Sequence, residues 1–129
     1  IGELSQQADD PEKVSSICAV LAETDVINMV SRGISAPNIV KGIHMSMASR
    51  LAKLLKAIKA VDGVIMATGG LALDEGLLAA LKEEMENKNL DVTIRNHPDS
   101  AYAGAIGAAL WGAFRHEKMA ASPELVEAS

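Results

Sequence analysis

Two adjacent glycines, Gly69 and Gly70, follow Val64-Ile65-Met66-Ala67-Thr68 and lead into Leu71-Ala72-Leu73-Asp74-Glu75, where a helix pattern begins. Positions without a Cβ let a ligand or another backbone come into contact with the main chain. At the carboxyl end of a parallel strand, such a turn offers N–H groups to a sugar or a phosphate, and the next helix adds its dipole. No Gly-Lys-Ser/Thr follows, so this is not a Walker loop, and the letters do not spell Gly-x-Gly-x-x-Gly. The charges of Asp74 and Glu75 would repel a terminal phosphate, so the turn suits a ribose or an inner phosphate better. An ordinary tight turn before an N-capping Asp74 explains the same letters equally well.

Cys18 is the single cysteine. Alone it can neither close an internal disulfide nor hold an iron–sulfur cluster, which takes four thiolates. By itself it reads as a small buried hydrophobe. One cysteine fits a reducing, cytoplasmic setting. His44, His97 and His116 contain no i, i+4 pair and make no metal set. Glu23 and Asp25, close behind Cys18, read as a solvated helix start, and no catalytic base is assigned.

These residues must be carried by a chain of 129 residues, enough for one domain or a piece of a larger one. Hydrophobic residues make up 49% and aromatics only 2%, so the core must be aliphatic and closely packed. A formal net charge of −5 excludes nucleic acid as the main partner. The apolar run from Ala101 to Phe114 is shorter than the roughly 20 residues that cross a bilayer, so it predicts a buried helix and no membrane association. The opening, Ile1 to Lys13, is polar and acidic, unlike a signal peptide. Starting on Ile1, it reads as the tail of an element already under way, so a piece of a longer polypeptide is expected.

Asp10-Pro11-Glu12-Lys13 predicts a helix start, continued by Val14, Ile17, Val20 and Leu21. A second apolar set, Val26, Ile27 and Val30, ends at Arg32-Gly33. Ser35-Ala36-Pro37 caps a long helix whose Ile39, Ile43, Met47, Leu51, Leu54, Leu55 and Ile58 share one stripe. Val64 to Thr68 predicts a buried strand. A helix follows from Asp74 to about Asn87. Leu90 to Asn96 predicts a strand with one wetter face, and His97-Pro98-Asp99-Ser100 a turn and cap. The last helix, about Ala101 to His116, carries Gly104, Gly107, Ala108 and Gly112 as a nearly bare stripe suited to tight packing on a sheet, with Trp111 and Phe114 in the core or an interface. Residues 120–129 are expected to be a disordered tail. Two strands joined through a helix imply a parallel pair and an α/β domain. Two strands alone make a poor sheet, so further strands are expected outside this chain.

Three segments, "ICAVLAETDVI" from Ile17, "MATGGLALDEGL" from Met66 and "HPDSAYAGAIGAALWGAF" from His97, occur in that order. Together they resemble the ATPase family of benzoyl-CoA reductase subunits and 2-hydroxyacyl-CoA dehydratase activators, and the last is most similar to the D-type subunits. The resemblance implies an acetate kinase/Hsp70/actin-like (ribonuclease H-like) ATPase fold, with residues 1–119 as its C-terminal lobe. It places Thr68, Gly69, Gly70 and Leu71 against ATP, held with Mg²⁺, and makes the helix from Ala36 part of the adenosine pocket. Leu73 and Asp74 stand where the activators commonly have lysine and asparagine, which leaves the polar contacts beyond the turn open.

The same resemblance implies that Cys18 is one of two cysteines that each subunit gives to a [4Fe–4S] cluster shared across a dimer. The other would lie upstream, in a Cys-Ala-Ala-Gly-Thr-Gly-like segment, so no cluster is expected on this chain alone. The implied function is ATP-driven, low-potential electron transfer for reduction of an aromatic acyl-CoA, within a complex and not by the isolated piece. The implied partners are a related ATPase subunit in a homo- or heterodimer, the catalytic reductase subunits and a ferredoxin donor. A sugar-kinase-like phosphotransferase lobe with a structural Cys18, and a non-catalytic α/β interaction module, are the competing readings.

Overall fold

The computed structural model describes residues 1–15 and 17–121. In chain order it has α1 (Gly2–Ser5), α2 (Ala19–Ser31), α3 (Ala36–Ala57), β1 (Asp62–Met66), α4 (Glu75–Asn87), β2 (Asp91–Arg95) and α5 (Ala103–Ala121). Short 3-10 turns occupy Gly70–Leu73 and Pro98–Tyr102. β1 and β2 pair in parallel from Asp62↔Asp91 to Met66↔Arg95, with α4 as the crossover that the sequence predicts. Asp74 caps α4 by accepting a hydrogen bond from the Leu77 N–H at 2.9 Å, which satisfies one of the free donors of the first turn. The period of α4 also holds, with Leu77, Leu81 and Met85 buried.

The main core is the seam between α3 and α4, with β2 beneath it. Ala48 and Ala52 are fully buried there against Ala80, Leu81, Met85, Leu90 and Ile94. Alanines at the contact let two helix backbones lie close together. Lys41 closes the rim with an ion pair to Glu83 at 2.9 Å. A second cluster, Val14, Met29 and Ile39, fastens α2 to α3.

Four expectations need correction. The first is the helix predicted to start at Asp10-Pro11. The chain is irregular from Ala8 to Ser15, and a single helix begins at Ala19, with Cys18 as its extended N-cap residue. Tertiary bonds decide this. The Asn38 side chain accepts from the Asp9 and Asp10 N–H groups at 3.0 and 3.1 Å, and Ser46 Oγ donates to the Val14 carbonyl at 2.8 Å. Gly42 lets the loop lie on α3, since a methyl group there would overlap the Glu12 carbonyl. These bonds fix donors and acceptors that a helix would have used.

The second concerns β1, which starts and ends two residues early and is not a buried strand: Val64 is 63% and Met66 54% exposed. Only the face bearing Ile65 is covered. The third concerns α5, which has no buried residue. Gly104, Gly107 and Gly112 have nothing within 4 Å of where a Cβ would stand, so the bare stripe does not pack on this sheet. Trp111 and Phe114 touch each other, with ring centroids 5.5 Å apart, and are both more than half exposed. The fourth concerns the tail: Ala120 and Ala121 still belong to α5, and 122–129 lie outside the described residues.

Candidate functional site

The glycine turn lies at the carboxyl end of β1, as the sequence reading placed it. Gly69 has φ 96° and ψ −179°, a conformation open in practice only to glycine. Its bareness is therefore accounted for by the backbone. Gly70 is different. It starts the 3-10 turn without a positive φ, and nothing lies within 4 Å of where its Cβ would be. No neighbour among the described residues uses the space that Gly70 leaves. Thr68 and Leu71 flank the pair and are exposed.

The turn is held from the carboxyl end of β2. The Gly69 N–H donates to the Ser100 carbonyl at 2.9 Å, and the Ala67 N–H to the Arg95 carbonyl at 2.7 Å. Asn96 Nδ2 donates to the Ala72 carbonyl at 2.8 Å. Ser100 is buried, and its Oγ accepts from the His97 N–H at 2.8 Å, so the predicted cap of this turn is present. Asn96 and Ser100 are the residues that sequence reasoning missed as supports of the glycine turn. No local pattern marks them, because their partners are 24 and 31 positions away in the chain.

Beside the turn runs an apolar groove of about 370 Å³ between α3, α4 and the covered face of the sheet. The stripe of α3 does not enter the core along its whole length. Leu51, Leu54 and Ile58 are 39%, 55% and 72% exposed and line this groove, while the alanine face makes the seam. Thr68 and Leu71 line the groove as well, and so does Met47.

Cys18 lies elsewhere and is exposed, which corrects the reading of an inert buried thiol. It borders a separate, mostly apolar hollow of about 290 Å³ with Val14, Ile43, Met47 and Arg50. Met47 lines both hollows, so α3 separates the cysteine from the glycine turn. Among the described residues, no three His, Cys, Asp or Glu side chains are grouped to hold a metal ion, and no helix is long and apolar enough to cross a membrane. His97 and His44 have structural partners within the fold.

His44 is 6% exposed, with Nδ1 3.1 Å from Ser5 Oγ and Nε2 3.6 Å from Asp74 Oδ1. Burial lowers its pKa below the ordinary histidine value, against the opposing pull of Asp74. The unfolded chain thus takes up the proton first as pH falls. Stability from this group is full above about pH 6.5 and is lost as pH drops from there toward the lowered folded value. Denaturant midpoints of the full-length protein between pH 7.5 and 5 should fall with pH, and His44→Asn should flatten that slope. An unchanged slope in the variant contradicts this assignment.

Comparisons with known proteins give the chain its relatives. The D-type subunit of benzoyl-CoA reductase from Thauera aromatica is 75% identical over 120 residues, covering 93% of this chain and 43% of that protein. The activator of lactoyl-CoA dehydratase of Anaerotignum propionicum is 39% identical over 111 residues, covering 86% of this chain and 40% of the relative. The crystal structure of component A of (R)-2-hydroxyglutaryl-CoA dehydratase from Acidaminococcus fermentans matches with TM-score 0.70 and 35% identity, over 85% of this chain and 40% of that one. The activator of 2-hydroxyisocaproyl-CoA dehydratase from Clostridium difficile, solved with bound ADPNP, matches with TM-score 0.70 and 32% identity, over 95% and 43%. The chain thus spans less than half the length of these relatives. It has the actin-like ATPase fold that its motifs imply. Residues 1–112 match one family description, and on that match the chain belongs to the BadF/BadG/BcrA/BcrD ATPase family.

Proposed function

We propose that this chain is the C-terminal, nucleotide-holding lobe of an ATPase subunit that couples ATP hydrolysis to low-potential electron transfer for the reduction of an aromatic acyl-CoA. The observation that carries the reading is Gly70, whose open space none of the described residues occupies, at the carboxyl ends of two parallel strands. The 75% identity to a D-type subunit of benzoyl-CoA reductase supports the choice of reaction, and the ADPNP of a structural neighbour supports the nucleotide.

In this reading Gly69 and Gly70 admit the ribose and inner phosphates to the main chain. Thr68, Leu71 and Met47 offer the purine an apolar wall, in a groove whose volume is in the range of small-molecule sites. The negative charges of Asp74 and Glu75 would disfavour a terminal phosphate beside the start of α4, so Mg²⁺ and the triphosphate end would be held by residues outside this chain. ATP supplies its differential binding energy for two lobe arrangements, which is what a population shift requires. Hydrolysis of ATP to ADP and phosphate then resets the arrangement.

Cys18 suits a cluster ligand only in part. It is exposed at the start of α2, so another chain can reach it, yet it brings one thiolate and the described residues bring no further grouped ligand. A [4Fe–4S] cluster would therefore be completed by cysteines beyond this chain and by a related partner subunit. Once bound, it supplies one-electron transfer. The catalytic reductase subunits and a ferredoxin donor complete the assembly, in a reducing cytoplasm.

The test is a calorimetric titration of the full-length protein with Mg-ADPNP. One site per subunit of micromolar affinity or better is expected, and the absence of binding heat at millimolar nucleotide overturns the reading.

A further inference from the structure

His44 stands where three elements cross, with Ser5 of α1 on one side of its ring and Asp74, the cap of α4, on the other. The Ser5 hydroxyl, on α1, donates to the Gly2 carbonyl at 2.9 Å. Ser5 Oγ also lies 3.1 Å from His44 Nδ1, within hydrogen-bond distance. Nε2 faces Asp74 Oδ1 across 3.6 Å, beyond hydrogen-bond length. The same Asp74 oxygen accepts from the Leu77 N–H at 2.9 Å and fixes the first turn of α4.

A second contact lies beside these. α1 meets the start of α4 through Gly2 and Gly76, main chain against main chain. A methyl group on Gly76 would overlap Ser5 Oγ and come within 2.9 Å of the Gly2 Cα, and one on Gly2 would come within 2.8 Å of the Gly76 nitrogen. Ser5 is 1% exposed, so its hydroxyl is closed off from solvent at this crossing. Asp74 is the residue that directly follows the 3-10 turn starting at Gly70. A shift of that turn moves Asp74, and packed interiors respond to such shifts by switching between arrangements rather than stretching.

We infer that His44 is a positioning residue that links the glycine turn to α1, so that occupancy of the turn by nucleotide changes how firmly α1 is docked. The inference rests on the nucleotide reading of Gly69 and Gly70. It adds a direction of travel: from the turn through Asp74, across the buried ring, to Ser5 and the chain segment that α1 belongs to.

Hydrogen–deuterium exchange on the full-length protein tests it, with and without Mg-ADPNP, read on the peptide covering residues 1–8. The wild type is expected to change α1 exchange by about tenfold on binding. His44→Ala should remove that response while calorimetry still records ADPNP binding, and His44→Asn, which keeps a donor near the Nδ1 position, should restore it. Ser5→Ala is the milder variant and carries the same criterion should His44→Ala fail to fold. A wild-type α1 that ignores bound ADPNP overturns the inference, as does a full response in Ser5→Ala. Lack of ADPNP binding to the wild type overturns the nucleotide reading itself, and this inference with it.

Discussion

Gly70→Val is expected to weaken Mg-ADPNP binding to the full-length protein by about 100-fold, a loss of about 2.7 kcal/mol, without lowering its melting temperature. The two halves of this expectation come from the same observation. None of the described residues lies within 4 Å of the missing Cβ, and the backbone there has no positive φ, so the folded state accepts valine. Substitutions at exposed sites free of such constraints stay within about 0.5 kcal/mol. A ligand pressed against the bare main chain would meet two methyl groups. Gly69→Ala is the useful contrast, because φ 96° strains any side chain and the fold itself should lose about 1–3 kcal/mol. Calorimetry paired with thermal unfolding separates the two. Wild-type affinity in Gly70→Val would mean that the space is not a nucleotide site.

Cys18→Ala in the full-length protein, purified without oxygen, is expected to abolish the broad visible absorbance of an iron–sulfur cluster and the matching iron content. A cluster with one of its four thiolates removed is not held. The fold should not notice. Cys18 is exposed, and its side chain makes no capping bond to α2. Circular dichroism of the two proteins, both freed of iron, should therefore give the same unfolding midpoint. Full iron content in the variant would remove Cys18 from the ligand set and return it to a structural or incidental role.

Local pattern made a good part of this architecture legible. Asp74, the apolar period behind it and the β-prone runs on either side announce α4 and the parallel pair, because caps and periodicity act over a few residues. The long helix from Ala36 was legible for the same reason, but its buried face was not. Leu51, Leu54 and Ile58 look like core in a helical projection, yet the seam uses Ala48 and Ala52, since close approach of α4 decides which side is covered. Residues 10–15 read as helix by letters, while bonds to Asn38 and Ser46 from a distant part of the chain hold them otherwise. The position of the glycine turn was visible in two letters. Its supports, Ser100 and Asn96, were not, and neither was the burial of His44 between Ser5 and Asp74, which no spacing rule encodes.

α5 has a practical corollary. Trp111 is the only indole in these 129 residues, and it is 61% exposed on a helix that buries none of its side chains. Its fluorescence therefore starts near the red limit of tryptophan emission. A protein that settles over Leu110 and Phe114 would shift it blue and shield it from iodide quenching. The segment carries its own optical probe for whatever docks on its last helix.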